Sequence, residues 1–370
     1  MPAHKGLMIV VAGRDGPIDL LVQRLGGLSG VASVRHVAAP RPAADIAHAD
    51  MVIDMMGGLA PAYELAMSAL GRGTACVSAN PLLVSVHGRV LQAAAQGQQA
   101  YFGFEAAGFG VPLRDILSTL PVVRMTFAMN TAANQALARM TYRHETLAQV
   151  QAHMALQKAD MTDWSGKITQ ARAMAMHAQW HPAWPSRNAC VRNGPERVGV
   201  DDIKALRPFG LEMVFGAQVA PGRIYTGPMA VAHDSPLVAG RQGDVLLLDM
   251  ADGQSLLMAQ PGGAMAMVSG VLADVQRFMR SRKVLAAPKH APDMVAVSRY
   301  YVQVPYAMRE AVLEQVDTVV QDHKSGDGQW QAVVEGSSFA DLCAALEDGA
   351  VYPLCGEWEA PAQSGLRLVG

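Results

Sequence analysis

The sequence predicts an α/β protein: a doubly wound parallel sheet, then an α+β segment, then a small α/β tail. Three observations carry this reading. Short apolar runs alternate with helix-patterned stretches over roughly the first 120 residues. Longer strand-like runs follow beyond Val122, and a stretch rich in Pro, Lys and Ala (284–293) sets off the last part.

The first run, LMIVVA at 7–12, is apolar throughout and ends on Gly13, the pattern of a strand buried on both faces. Apolar residues recur at helical spacing over 18–25, with Pro17 suited to a first turn. Strands are expected at 31–38, 51–56 and 75–78, and a helix at 61–70. Beyond them VVRMTFAMN reads as a strand, and 134–142, 147–156 and 168–179 read as helices. A loop rich in Trp, His and Pro covers 180–188. Strands follow at 211–219, 227–233, 244–250 and 255–259, and Gly262-Gly263 leads into a helix at 265–279. The tail reads as strand YYVQV, helix 307–320, strand WQAVV and helix 338–347. Expected domains are 1–122, 123–283 and 294–370, with the helix in 260–283 free to pack back on the first.

The chain has 370 residues, 30 Lys+Arg against 32 Asp+Glu, 51% hydrophobic and 17% charged residues. Such a chain buries a core and is not disordered. Without a basic excess, nucleic acid is excluded as a partner. No apolar run is long enough to span a membrane. The N-terminus carries no apolar stretch with a small-residue cleavage site, so a cytoplasmic location is expected. Cysteines 76, 190, 343 and 355 have neither metal nor redox spacing, so no metal site is expected. The low charge points to extensive buried surface, including a subunit interface.

A glycine turn between a first strand and a first helix lets backbone N–H groups approach a pyrophosphate. Gly13 and Gly16 match the second and third glycines of G-x-G-x-x-G, while Val11 holds the first position. An ordinary strand-to-helix turn reads the same way. An acidic residue at the end of the second strand would favour NAD. Arg35, His36 and Arg41 stand there instead, which favours the 2′-phosphate of NADP or leaves solvated arginines.

MMGGLAPAYELAMSALGRGTACVSANPLLVSVHG (55–88) resembles the homoserine dehydrogenases, in which one strand ends in Gly-Gly-x-x-Pro and the next in Thr-Ala-Asn-Lys. FEAAGFGVPLRDIL (104–117), MNTAANQALARM (129–140), 147–172, SPLVAGRQGD (235–244) and QPGGAMAMVSGVLADV (260–275) are similar to later family segments in the same order. The resemblance implies a Rossmann-like first domain, a substrate and dimerisation domain, a homodimer, and a shortened ACT-like tail. It implies NADP or NAD as cofactor and a small-molecule substrate. It carries Gly57 and Asn80 to the cofactor side, and Glu105, Asn130, Asn134 and Gln157 to the substrate side.

The departures bear on chemistry. The lysine of Thr-Ala-Asn-Lys is Pro81, and a second family lysine falls at Arg172. The substrate glutamate falls at Gln157, and a helix aspartate at Ile168 or Thr169. Two motif threonines are Ala132 and Ala133, and another falls near Met267. Proline offers no proton, and arginine steadies an oxyanion but is a poor donor. Asp163, Lys167 and Arg172 remain as catalytic candidates; Asp163 equally suits a helix cap and Lys167 a solvated surface. His177, Trp180, His181 and Trp184 line an acyl or aromatic pocket, or pack a loop. The expectation is an NAD(P)-dependent oxidoreductase on a small substrate other than homoserine. The alternative is an inactive homologue that binds a ligand or regulates a partner.

Overall fold

A computed structural model describes residues 6–14, 16–156, 163–186, 189–281, 298–336, 339–346, 349–356 and 358. The 284–293 linker lies outside the described residues.

The first sheet is parallel, ordered β2-β1-β3-β4-β5. Its strands are β1 (Leu7–Ala12), β2 (Val31–Val37), β3 (Met51–Asp54), β4 (Ala75–Ser78) and β5 (Phe102–Gly103). Helices α1 (Ile18–Gly26), α2 (Pro42–Asp45), α3 (Leu59–Leu70) and α4 (Pro81–Gly97) connect them. One core packs Leu21, Leu25, Val11 and Ile53; the opposite one packs Leu65, Leu70, Val84 and Leu91. A central parallel strand covered on both sides has to be apolar throughout, as β1 is.

Sequence reading left α4 unassigned. Asn80 caps it, its Oδ1 accepting from Leu83 N at 3.1 Å, and Pro81 takes the first turn, where its missing N–H costs nothing. The third strand stops at Asp54, two residues short of its expected end, because the chain turns there into Gly57-Gly58.

After α5 (Leu113–Leu117), the second part supplies β6 (Val122–Ala128), α6 (Ala132–Arg143), α7 (Leu147–Leu156), α8 (Lys167–Trp180), β7 (Cys190–Arg192) and α9 (Val200–Leu206). β8 (Leu211–Ala220), β9 (Arg223–Ala232), β10 (Asp244–Met250), β11 (Ser255–Gln260) and α10 (Gly263–Ser281) complete it. α8 is buried on nearly every side from Ala171 to Trp180. It packs on α4 in the first part and on β8 and β9 in the second, which is why Ala and Met encircle it rather than form one stripe. α10 packs back on the first part: Val268, Val271 and Val275 join the core with Leu21 and Tyr101.

The tail is a β-α-β-β-α-β unit of β12 (Ser298–Pro305), α11 (Arg309–Leu313), β13 (Thr318–Lys324), β14 (Gln329–Gly336), α12 (Phe339–Ala345) and β15 (Ala350–Cys355). The helix expected over 307–320 is only α11. Thr318-Val319-Val320 instead enters β13, with Val319 opposite Val334, since β-branched residues pack well on a pleated surface. The tail sheet continues the second one, giving β11-β10-β6-β8-β9-β15-β12-β14-β13, with β7 also on β9. The seam is parallel: Leu354 faces Ala230 and Cys355 faces Val231. Tyr301, Val333 and Tyr352 of the tail share a core with Leu137, Leu206 and Phe209.

Candidate active site

A groove runs across the C-terminal ends of β1, β3 and β4, where open parallel sheets place their ligands. Gly13 has φ 137°, and a Cβ there would lie 2.4 Å from Met55 O. Only glycine lets the turn after β1 press against the turn after β3. His36 Nε2, from the end of β2, lies 2.8 Å from Gly13 O and ties a third strand end to the same turn. The outer groove is a cavity of about 360 Å³ lined by Gly13, Arg14, Ala38, Pro40, Gly57 and Glu64. The inner groove, about 190 Å³, is lined by Gly16, Met55, Asn80, Pro81, Ile168 and Met267, and Met56 and Gly57 border both.

The walls are held by a closed ring of hydrogen bonds. Asp54 is fully buried and accepts from Ser78 Oγ at 2.7 Å and Met56 N at 2.9 Å. Ser78 Oγ accepts from Asn80 N at 3.1 Å, and Asn80 Nδ2 donates to Met56 O at 3.0 Å. Burial pushes the Asp54 carboxyl up to about 6, against the lowering effect of those two donors. Asp54 was not singled out from sequence, although the motif it precedes was.

Of the residues expected to be catalytic, α8 carries Lys167 and Arg172, and Asp163 lies in the turn just before it. Asp163 accepts from Ile168 N (2.7 Å), Thr169 N (2.9 Å) and Thr169 Oγ1 (2.5 Å), so it caps the helix start. Burial raises its pKa, opposed first by the Thr169 hydroxyl. Lys167 is exposed at the first position of the helix, beside Ile168. Arg172 Nη1 donates to Gly108 O at 2.8 Å. Burial pulls the guanidinium pKa down, countered by the charges of Asp244 and Asp163. Asp244, 4% exposed, accepts from Asn130 N at 3.3 Å. It was missed in the sequence, because Arg172 and Asn130 come to it from segments more than 70 residues away.

The other expected residues are placed as follows. Glu105 is 1% exposed and accepts from Leu113 N at 3.0 Å while pairing with Arg277 at 2.9 Å. Burial and the Asp274 charge raise its pKa to about 7. Its carboxylate thus joins α10 to the first part. Asn134 is fully buried; its amide donates to Met129 O and Phe215 O and accepts from Phe215 N, fastening α6 to β8. Asn130 is exposed and accepts from Gln135. Gln157 lies outside the described residues. Arg35 donates to Asp45 O and lies 3.6 Å from its carboxylate, with Arg41 3.8 Å from the same group. The acidic partner absent from the end of β2 is therefore supplied by α2.

The Trp and His cluster packs a loop against two helices. The His177 ring lies 5.1 Å from His181 and 6.4 Å from Trp180. His177 is 2% exposed, and burial pushes its pKa down to about 4, so it is neutral at pH 7. Trp184 packs against Phe104 and α4. Among the described residues no three His, Cys, Asp or Glu side chains form a metal-binding group, and no helix is long and apolar enough to cross a membrane.

A parallel sheet with a glycine turn at its first strand, joined through a buried helix to a mixed sheet, defines a two-part α/β protein of Rossmann-like architecture. By sequence and fold the chain is a homologue of the homoserine dehydrogenases. That of Mycobacterium leprae is 24% identical over 342 residues, 84% of this chain and 74% of that protein. That of Mycobacterium tuberculosis H37Rv is 25% identical over 297 residues, 72% and 67% of the two chains. The solved homoserine dehydrogenase of S. aureus superposes with TM-score 0.72 at 16% identity, covering 95% of this chain and 100% of that one. A hyperthermophilic archaeal homoserine dehydrogenase in complex with NADPH gives TM-score 0.62 at 17% identity, over 77% and 100%. No family model matches the chain.

Proposed function

We propose that the chain is a nicotinamide-dinucleotide-dependent oxidoreductase acting on a small carbonyl or alcohol other than homoserine. The observation that carries this is the inner cavity: Met55, Ile168 and Met267 line it, with Pro81 where the related pattern has a lysine. Homoserine would leave a charged ammonium there without a partner. The groove fits a dinucleotide. Gly13 lets the turn after β1 lie against the turn after β3 with no side chain between them, and the cleft these turns border continues past Gly57 into the inner cavity. Gly13, Gly16 and Gly57 would hold its phosphates and Asn80 its nicotinamide side. NADP is favoured over NAD by Arg14, which lines the outer cavity, while Arg35 and Arg41 are paired with Asp45. Bound there, the dinucleotide supplies or accepts a hydride.

The protein's own contribution is orientation and water exclusion. The Asp54–Ser78–Asn80 ring fixes the walls, and methionine and isoleucine side chains keep the inner end dry. Arg172 can hold negative charge on the substrate, and Lys167, exposed at the start of α8, can exchange a proton with solvent. On the same reading the chain works as a cytoplasmic homodimer. The low charge content supports the dimer, and the β-α-β-β-α-β order supports an ACT-like tail.

A second reading, a non-catalytic ligand-binding homologue, is favoured by one fact: no ionisable side chain lines the inner cavity among the described residues. NADPH oxidation assayed with aspartate semialdehyde and with small amine-free aldehydes and ketones separates the cases. Turnover confined to the amine-free compounds is expected. Efficient turnover of aspartate semialdehyde contradicts the proposal, and binding without any turnover selects the second reading.

A further inference from the structure

We propose that Arg172 is the docking point for a carboxylate on the small substrate, an inference that rests on the reading of this groove as a substrate site. Ile168 lines the inner cavity, and Arg172 stands four residues on, one turn deeper on the same helix face. A guanidinium offers five N–H donors. Among the described residues, its one hydrogen bond is to Gly108 O at 2.8 Å, and no carboxylate forms an ion pair with it.

The acidic groups that feel its charge are already engaged. Asp163 accepts three hydrogen bonds from the start of α8. Asp244 is 4% exposed, and the Gly262 turn lies close over its carboxylate. The unfilled hydrogen-bonding capacity at this junction is therefore that of the Arg172 N–H donors. A planar fork with free donors matches a carboxylate in bidentate fashion. The largely apolar lining of the 190 Å³ cavity at Ile168, one helical turn before Arg172, suits a short uncharged chain and offers an ammonium no charged partner. The ligand class is a small oxo acid or aldehyde acid without an amine.

The probes are succinic semialdehyde, which carries the carboxylate, n-butanal, which lacks it, and L-homoserine, which adds an amine. Each is titrated calorimetrically into the full chain in the presence of NADP+, which leaves the aldehydes unreduced. Succinic semialdehyde is expected to bind more tightly than n-butanal by tenfold or more. Arg172→Gln should abolish that preference and Arg172→Lys should keep part of it, both with NADPH affinity unchanged. Asp244→Asn should strengthen binding of succinic semialdehyde, because it removes a like charge, whereas a merely structural Asp244 would weaken it. Equal binding of the two aldehydes, no binding of any probe, or L-homoserine binding best and weakened by Asp244→Asn each overturns the inference. Arg172-dependent carboxylate binding by a protein that ignores NADPH would sink the dehydrogenase reading and leave this one standing.

Discussion

The indole of Trp184 occupies the place where a side chain on Gly88 would stand: a Cβ there would lie 2.2 Å from its ring. Gly88 sits in the middle of α4, and Trp184 comes from the loop after α8, so one notch fastens the second part of the chain to the first. A mid-helix glycine costs roughly 1 kcal/mol against alanine, and the docked indole explains why it is kept. Gly88→Ala should destabilise the protein by about 1–3 kcal/mol despite its better helix propensity. Gly88→Ala combined with Trp184→Ala should be less than additive in urea denaturation. Additive losses would show that the two residues do not meet.

Asp54 makes a prediction about pH. Its folded pKa of about 6 lies above the ordinary carboxylate value, because burial disfavours the charged form. Between roughly pH 4 and 6 the unfolded chain has released this proton while the folded chain still holds it, so stability falls as pH rises through that window. Asp54→Asn, which cannot ionise, should lack this component. Wild type should therefore lose stability relative to the variant by on the order of 2–3 kcal/mol from pH 4 to pH 7. Parallel stability–pH curves for the two proteins would contradict the assignment.

Arg277 of α10 reaches Glu105 at 2.9 Å, Asp115 at 3.0 Å and Asp274 at 3.1 Å. Two of those carboxylates are almost wholly buried. Removing the cation leaves them facing each other with only Arg114 and their neutral donors to offset the charge. Arg277→Ala should cost about 3–5 kcal/mol at pH 7. The loss should shrink as the pH falls below 7, where Glu105, with its pKa of about 7 in the intact protein, is protonated with or without Arg277. A loss independent of pH would place the effect in packing rather than charge.

These residues show how far the sequence could be read. β1 and the turn at Gly13 were legible because a fully buried strand and its glycine leave a local pattern. Gly57 and Asn80 were legible through an ordered set of short motifs. α4 was not, since Gly88 interrupts its apolar face and the partner that makes Gly88 sensible lies 96 residues on. Thr318-Val319-Val320 misled for the opposite reason: the spacing fits a helix, and only pairing with β14 decides for a strand. Glu105 carried a family position but spends its charge on Arg277, a contact across 172 residues that no local pattern reports. Asp244 escaped notice in the same way, because only folding brings its charge close enough to act on Arg172.

The central claim is that a dinucleotide groove survives while its inner end has lost the groups that would hold a charged amino acid. A fluorescence titration of the purified full chain with NADPH tests it most directly, repeated in the presence of L-homoserine. Saturable enhancement of NADPH emission that homoserine leaves unchanged is the predicted result. Failure to bind either NADPH or NADH at millimolar concentration, or a homoserine-dependent tightening of the complex, would contradict it.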